Sequence, residues 1–458
     1  MSSRVVLGVG AGIAAYKSCE LLRLLTESGH QVRVVPTPDA LRFVGEATWA
    51  ALSGQPVTTD AWTGVSEVPH VRIGQTADLV LVAPATADLL ARAAAGMAGD
   101  LLTATLLTAR CPVLYAPAMH TEMWEHPATQ ANVALLRRRG AIVLEPATGR
   151  LTGKDSGPGR LPEPAGIFAV ATRLLARGAV PADLAGRRVV VSAGGTREEI
   201  DPVRFIGNWS TGTQGYALAS TAVARGAEVT VVAANVALPD PAGAKVTRVV
   251  SAREMHDAVL AAAAGDGPGD GPGDGPGDGH CADAVVMAAA VADYRPAARS
   301  AAKIKKDGQP PEPLRLTENP DILAGLAAVR KAREATRSAP GNHDPERAGL
   351  IPRPPVLRGG SGGSSPPESA RRQVLVGFAA ETDTSPEQAR AKLARKGCDL
   401  LVVNPVGNGL GFGTPDNEAV VYGADGTVTP IARGPKEALA DVVWDLVAAR
   451  LNESPADG

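Results

Sequence analysis

The chain has 458 residues, 46 Lys and Arg against 48 Asp and Glu, and a formal net charge of −2. That length accommodates two or three domains with real cores, and the near-neutral charge excludes a sheath for long nucleic acid, leaving polyanions of nucleotide size. No apolar run reaches the roughly 18 residues of a membrane span, and the first residues lack the charged-then-apolar order of a signal peptide, so a cytoplasmic protein with no membrane contact is expected. The four cysteines, Cys19, Cys111, Cys281 and Cys398, form no C-x-x-C pair, which argues against structural zinc and a disulfide framework.

The first predicted strand, Val5 to Val9, runs into Gly8, Gly10 and Gly12 and then a helix from about Ala14 to Glu27. Glycines at a strand end let backbone N–H groups approach an anion, and the following helix aims its positive end at the same spot. The dinucleotide fingerprint is incomplete. Ile13 and Ala15 stand where a third glycine would fall, and no acid ends the second strand, Gln31 to Val35. Thr37 sits there instead, and a hydroxyl suits a mononucleotide phosphate better than a ribose diol, so flavin mononucleotide is expected over NAD. Strands Leu79 to Ala83 and Val113 to Ala116 continue the pattern as unbroken apolar runs, which implies a parallel, doubly wound sheet covered on both faces. Ligands of such sheets bind beyond the carboxyl ends of the strands. Gly10 to Ile13, Pro84 to Asp88 (with Ala85 and Thr86) and Pro117 to His120 (with Met119) therefore gather round one crevice. His70, on a predicted loop, reads either as structural or as an acid/base; Pro117 to His120 reads as a simple turn or as a ligand clamp.

The pattern halts near Pro181 to Gly186, which places a boundary between residues 1–182 and 183–458. It restarts with Val189 to Ala193, a helix from about Gly215 to Arg225, then Val229 to Ala233 and Ala284 to Met287. Leu375 to Phe378, a helix near Gln388 to Lys396, Leu400 to Val403, a hairpin turning at Gly423 to Gly426 and a helix from Lys436 to Arg450 complete a second α/β unit. The D-G-P-G repeat at 265–279 and the Pro/Gly/Ser/Arg stretch at 339–372 cannot bury enough apolar surface to offset chain entropy and are expected to be mobile insertions. A second phosphate cradle is formed by Gly194, Gly195 and Thr196 with Met287, Ala288, Ala289 and Ala290, all after strands, and Asp293 lies just beyond. Lys303, Lys305 and Lys306 form a compact cationic cluster, while Lys392 and Lys396 are four apart and share a helix face. Such charges are solvated surface unless a cradle recruits them.

Several long motifs in order carry a resemblance. GIAAYK, PHVRIG, APATADLLARAAAGMAGD, APAM and DSGPGR resemble the flavin-dependent phosphopantothenoylcysteine decarboxylase domain, and TREEIDPVRFIGN, AAAVADY, KIKK, NPDI and GFAAET resemble phosphopantothenate–cysteine ligase. Together they cover almost the whole chain and look like the bifunctional coenzyme A biosynthesis family of bacteria. The resemblance implies a flavodoxin-like or Rossmann-like flavoprotein domain followed by a Rossmann-like ligase domain. It implies FMN held by Gly10, Gly12, Ile13, Thr37, Ala85 and Thr86, with His70 as base or substrate-orienting group and Met119 and His120 on the substrate. In the second half it implies CTP activation of 4′-phosphopantothenate to an acyl-cytidylate that cysteine attacks. Asn208 would hold that intermediate, Lys303 would stabilise charge on the α-phosphate, and Met287, Ala288, Ala289, Asp293, Asn319, Pro320, Asp321, Ile322, Phe378, Lys392 and Lys396 would bind nucleotide or substrate, with Mg2+ on the phosphates. Trimeric flavin domains and dimeric ligase domains, hence a homo-oligomer, are also implied.

The chemistry demands these groups. A carboxylate does not acylate an amine at neutral pH without a leaving group, and losing CO2 from a cysteinyl amide needs an electron sink, which flavin provides by accepting a hydride from the carbon bearing sulfur. Three positions depart from the resembled pattern. His120 replaces an asparagine, Thr213 replaces a lysine, and no cysteine precedes GPGR, where Thr152 is too weak an acid to substitute and Lys154, Asp155 or water remain. A regulatory flavoprotein is disfavoured by the intact second half, and a generic dehydrogenase leaves KIKK and NPDI unexplained.

Overall fold

The computed structural model describes residues 2–59, 68–151, 155–178, 180, 182–265, 281–305, 313–338, 372–381, 385–406, 413–414 and 416–453. The predicted insertions at 265–279 and 339–372 thus lie almost wholly outside the described residues, as do Lys306, Thr152 and Lys154.

The first half is built on β1 (Arg4–Val9), β2 (Gln31–Pro36), β3 (Leu79–Ala85), β4 (Val113–Pro117) and β5 (Ile142–Val143), all parallel, in the order β2-β1-β3-β4-β5. The order reverses between β1 and β3, which opens a crevice at their carboxyl ends, the placement expected of a flavodoxin-like sheet. Alternation along β1 explains why both faces are covered. Val5, Leu7 and Val9 join one cluster with Leu21, Leu22 and Leu25 of helix Lys17–Glu27, while Val6 joins another with Leu89, Leu90 and Leu102. An antiparallel hairpin of β6 (Ala147–Arg150) and β7 (Ser156–Arg160) folds over the carboxyl edge.

The second half contains β8 (Arg188–Gly194), β9 (Arg197–Glu199), β10 (Phe205–Gly207), β11 (Glu228–Ala234), β12 (Ala244–Val249), β13 (Ala284–Met287), β14 (Tyr294–Pro296), β15 (Leu316–Glu318), β16 (Val374–Glu381), β17 (Leu400–Pro405), β18 (Asp416–Gly423) and β19 (Val428–Pro435). Its main sheet runs β12-β11-β8-β13-β16-β17-β18-β19, parallel through β17 and antiparallel in the last two strands. Two small antiparallel arms, β9–β10 and β14–β15, stand off this sheet. Both halves are therefore doubly wound α/β structures.

The halves share one continuous apolar cluster, in which Ile167 and Val170 of helix Pro164–Arg177 belong with Leu218, Ala222, Val443 and Trp444. Arg225 sits in the same region with no solvent exposure. Its Nε donates to Asp183 Oδ1 at 2.9 Å, its Nη1 to the Asp441 carbonyl at 2.9 Å, and its Nη2 pairs with Asp445 at 2.8 Å. Arg177, from the first half, reaches Asp441 at 3.2 Å. The connecting segment and the C-terminal helix are thus bound to both halves by one guanidinium network. Arg225→Ala removes every bond made by this guanidinium and leaves a cavity, so a loss of stability on the order of 3 kcal/mol is expected, read as a lower urea midpoint. An unchanged midpoint would show the network to be ornamental.

Candidate active sites

At the first crevice, four backbone bonds stitch the strand ends together. Thr37 N donates to Val9 O at 2.9 Å, Gly10 N to Pro84 O at 3.0 Å, Ala118 N to Ala85 O at 3.1 Å and Met119 N to Gly159 O at 2.9 Å. Gly10, Thr37, Ala85 and Met119 are therefore brought to one edge, as their positions at strand ends predict, although Ala85 is itself the last residue of β3 rather than lying after it. Only glycine fits at 10, because a Cβ there would lie 2.5 Å from the Pro84 carbonyl. Gly12, by contrast, faces open space. The chain then makes a 3-10 turn over Ile13–Tyr16 before the α-helix begins at Lys17, so the helix starts later than the sequence suggests. Ile13 is 74% exposed. Thr86 caps the helix Ala87–Ala95, accepting from Leu89 N at 3.3 Å.

Among the described residues, the buried side-chain polar atoms without a hydrogen-bond partner are Thr37 Oγ1 and His70 Nδ1. A buried hydroxyl left unpaired costs about 1–3 kcal/mol, a cost that a bound acceptor would offset. Thr37 faces that cost at the end of β2, where a phosphate would lie, so the residues present fit a flavin's phosphate. The loop expected at His70 is corrected: it is the second residue of the helix Pro69–Thr76, whose start is favoured by proline at the first position. Its carbonyl accepts from Thr108 Oγ1 at 2.8 Å, which ties it to helix Leu101–Thr108. His120 is exposed and precedes the short helix Thr121–Glu125. The next residue, Thr121, donates to Pro158 O at 2.7 Å, so the β6–β7 hairpin rests on this turn. Lys17 pairs with Glu163 at 3.1 Å beside it.

The second crevice repeats the construction. Gly195 N donates to Ala234 O at 3.1 Å, Ala290 N to Gly194 O at 2.8 Å and Thr196 N to Ala290 O at 3.2 Å. A Cβ on Gly195 would lie 2.8 Å from the Asn208 carbonyl. Gly194 and Met287 are themselves the last residues of their strands rather than lying after them, a small correction; Ala288 and Ala289 follow β13. Asn208 Nδ2 donates to Val291 O at 3.0 Å, and Asn319 Nδ2 to Ala292 O at 2.8 Å, so Asn208, Asn319 and the segment before Asp293 share one rim. Asn319 N also bonds Asp293 O at 2.8 Å. Pro320 leads into Asp321 and into helix Ile322–Ser338, where Ile322 is buried. Phe378 is half-buried in β16.

The two helical lysines are already paired. Lys392 meets Glu381 at 2.7 Å and Lys396 meets Asp321 at 2.6 Å. Lys303 and Lys305 are exposed. Their segment is anchored by Asp201, a residue that motif reading passes over although it stands in the conspicuous run Glu198-Glu199-Ile200-Asp201-Pro202. Asp201 is 1% exposed and accepts from Val203 N and Arg204 N at 2.8 Å each and from Ile304 N at 3.1 Å. Burial alone would raise its carboxyl; the three amides and the Arg204 guanidinium hold it below the usual carboxylate range. The anchoring is therefore present above the ordinary carboxylate pKa and is lost as pH falls through the lowered folded value. Among the described residues no group of three or more His, Cys, Asp or Glu could hold a metal by itself. No helix of the described residues is long and apolar enough to cross a membrane.

The fold defines an α/β protein built on two main sheets, each with glycine-bearing strand ends gathered at its carboxyl edge. Residues 1–175 match the Flavoprotein family, and residues 184–270, 274–337 and 365–451 match the DNA/pantothenate metabolism flavoprotein C-terminal domain. The chain is 53% identical over 454 residues to the coenzyme A biosynthesis bifunctional protein CoaBC of Mycobacterium tuberculosis, covering 98% of this chain and 97% of that one. It is 38% identical over 441 residues to the protein of the same name from Vibrio parahaemolyticus, covering 95% and 96%. A solved C-terminal domain of a CoaBC protein aligns at 28% identity and TM-score 0.41, over 60% of this chain and 100% of that one.

The chain belongs to the family of coenzyme A biosynthesis bifunctional proteins. It is a bifunctional enzyme, a flavoprotein decarboxylase joined to a ligase. Since Thr37 presents an unpaired hydroxyl to the flavoprotein crevice, Thr37→Val is expected to weaken flavin retention about tenfold. The flavin-to-protein absorbance ratio of the purified variant measures this, and full retention would remove Thr37 from the site.

Proposed function

We propose that residues 1–182 and 183–458 divide two successive reactions on one metabolite. The second half ligates 4′-phosphopantothenate to cysteine at the expense of CTP. The carboxylate attacks the α-phosphate, giving an acyl-cytidylate and pyrophosphate; the cysteine amine then displaces CMP to form the amide. Asn208, anchored through Val291 O at the rim of the cradle, orients the acyl-cytidylate. Lys303, on the exposed segment tethered through Ile304 to Asp201, stabilises charge at the α-phosphate without transferring a proton. Asp293, Asn319, Asp321 and Phe378 line the nucleotide side. Lys392 and Lys396, held by carboxylates, serve the site if the triphosphate draws them away from Glu381 and Asp321. Mg2+ would be held largely by the phosphate oxygens and would offset their charge.

The first half then exchanges the cysteinyl carboxylate for a proton, releasing CO2 and leaving 4′-phosphopantetheine. FMN supplies the electron sink when bound, its phosphate received at Gly10 and Thr37. His70 orients the substrate or holds a proton through its unpaired Nδ1, and Met119 and His120 form the floor beneath the β6–β7 hairpin. The observation that carries this reading is that the buried side-chain polar atoms left without a partner among the described residues, Thr37 Oγ1 and His70 Nδ1, are both groups that a flavin and its substrate would need. Assembly into trimers through the first half and dimers through the second, in the cytoplasm, completes the proposal.

Asn208→Asp and Lys303→Gln are expected to lower cysteine-dependent CMP release about a hundredfold or more while flavin stays bound. His70→Asn is expected to stop CO2 release by a similar factor with ligation intact. If His70→Asn decarboxylates at the normal rate, the histidine is structural; if CMP release ignores both ligase substitutions, the second site has been misplaced.

A further inference from the structure

β11 ends at Ala234, and the next residue, Asn235, holds a left-handed backbone with φ of 52°. Asparagine tolerates that conformation better than most L-residues, yet it still costs more there than glycine, so a side chain retained at such a place calls for a reason. The turn is tight. A Cβ on Gly194 would lie 2.0 Å from the Ala234 carbonyl oxygen and 2.6 Å from Val236 Cγ2.

The Asn235 side chain supplies the reason. Its Nδ2 donates to Gly195 O at 2.9 Å and to Val250 O, just past β12, at 3.0 Å. Both protons of the amide are thereby used, and two carbonyls facing it require its NH2 end rather than its oxygen. Val250 O also accepts from Arg197 N at 2.9 Å. Gly195 is therefore held at both of its polar backbone groups by consecutive residues of one turn, its N–H by Ala234 O at 3.1 Å and its C=O by the Asn235 amide.

Asn208 rests on this pinned glycine. A Cβ on Gly195 would meet the Asn208 carbonyl at 2.8 Å, so the two backbones are in contact. The Asn208 side chain is anchored on Val291 O, one residue beyond Ala290, and Ala290 O accepts from Thr196 N at 3.2 Å. Freeing the Gly195 carbonyl would loosen the peptide to Thr196, and with it both surfaces that locate Asn208.

We infer that Asn235 is a positioning residue of the ligase half: its amide fixes Gly195, and Gly195 sets the placement of Asn208 for attack of the amine on the acyl-cytidylate. The inference rests on the role proposed above for Asn208. In the step served, the cysteine nitrogen forms the C–N bond, the acyl C–O bond to phosphorus-bound oxygen breaks, CMP leaves with the electron pair, and the amine gives up a proton to solvent.

Full-length wild type, Asn235→Asp, Asn235→Gly and Asn208→Asp are given CTP and 4′-phosphopantothenate, and pyrophosphate formed and CMP released are followed before and after cysteine is added. Aspartate keeps the shape of asparagine but offers the two carbonyls no donor, whereas glycine keeps the left-handed backbone and deletes the amide. Both Asn235 variants are expected to lower cysteine-dependent CMP release about tenfold or more, while first-turnover pyrophosphate stays within about twofold of wild type. Asn208→Asp should show the same split, and decarboxylation of supplied 4′-phosphopantothenoylcysteine should be unchanged throughout. Full CMP release by Asn235→Gly overturns the inference, and so does a loss shared equally by pyrophosphate and CMP, which marks a general loosening of the fold. Should Asn235→Asp not fold, Asn235→Gly carries the same comparison. Wild-type protein that releases no CMP, or Asn208→Asp that is as fast as wild type, sinks the ligase reading itself and leaves Asn235 no step to serve.

Discussion

Both crevices depend on one steric constraint, the close approach of a strand-end backbone to the carbonyl of a neighbouring segment. At Gly10 the neighbour is Pro84, and at Gly195 it is Asn208; a side chain at either position would meet that carbonyl at 2.5 or 2.8 Å. With no Cβ in the way, the Gly10 amide bonds to Pro84 across the point where the strand order reverses, and the Gly195 amide bonds to Ala234 at the end of β11. Those bonds fix where the next residues turn, and everything placed at the edge follows: Thr37 beside β1, Met119 under the hairpin, Asn208 over Val291. The glycines therefore act less as ligand contacts than as the condition for a narrow strand-end opening, into which helix ends can direct their partial charge.

The sequence discloses this constraint where the signal is long. Apolar runs such as Leu79–Ala83 and Val189–Ala193 identify buried parallel strands, and the glycines that follow Val9 and Ala193 mark the strand ends. Short elements escape for a physical reason. The arms Arg197–Glu199 with Phe205–Gly207 and Tyr294–Pro296 with Leu316–Glu318 have three residues per strand, too few to show a period, and are held by pairing and by contacts such as Arg197 over the Phe205 ring at 4.7 Å. His70 misleads in a similar way: an eight-residue helix opened by Pro69 looks like a loop when read as local composition. Asp201 is invisible as a positioning group because its role is created by Ile304, more than a hundred residues further along the chain.

Charge shows most clearly what a sequence alone withholds. Lys392 and Lys396 read as cations awaiting a triphosphate, yet each already holds a carboxylate within 2.7 Å. Exposed pairs of this kind are worth about 0–1 kcal/mol, so an incoming polyphosphate can displace the carboxylates at little cost.

The connection between the halves follows from the same accounting. Arg225 is enclosed, but the carboxylates around it, on Asp183, Asp441 and Asp445, retain side-chain exposures of 31%, 39% and 64%. One side of each pair therefore keeps its hydration, and the desolvation cost falls mainly on a guanidinium, the cation that tolerates it best. Beside it, Ile167 and Val170 from the first half pack in the same apolar cluster as Val443 and Trp444 of the last helix. A flexible tether would need neither feature. The segment containing Asp183 is instead part of the core, and the C-terminal helix, last in sequence, braces the junction between the first sheet and the second.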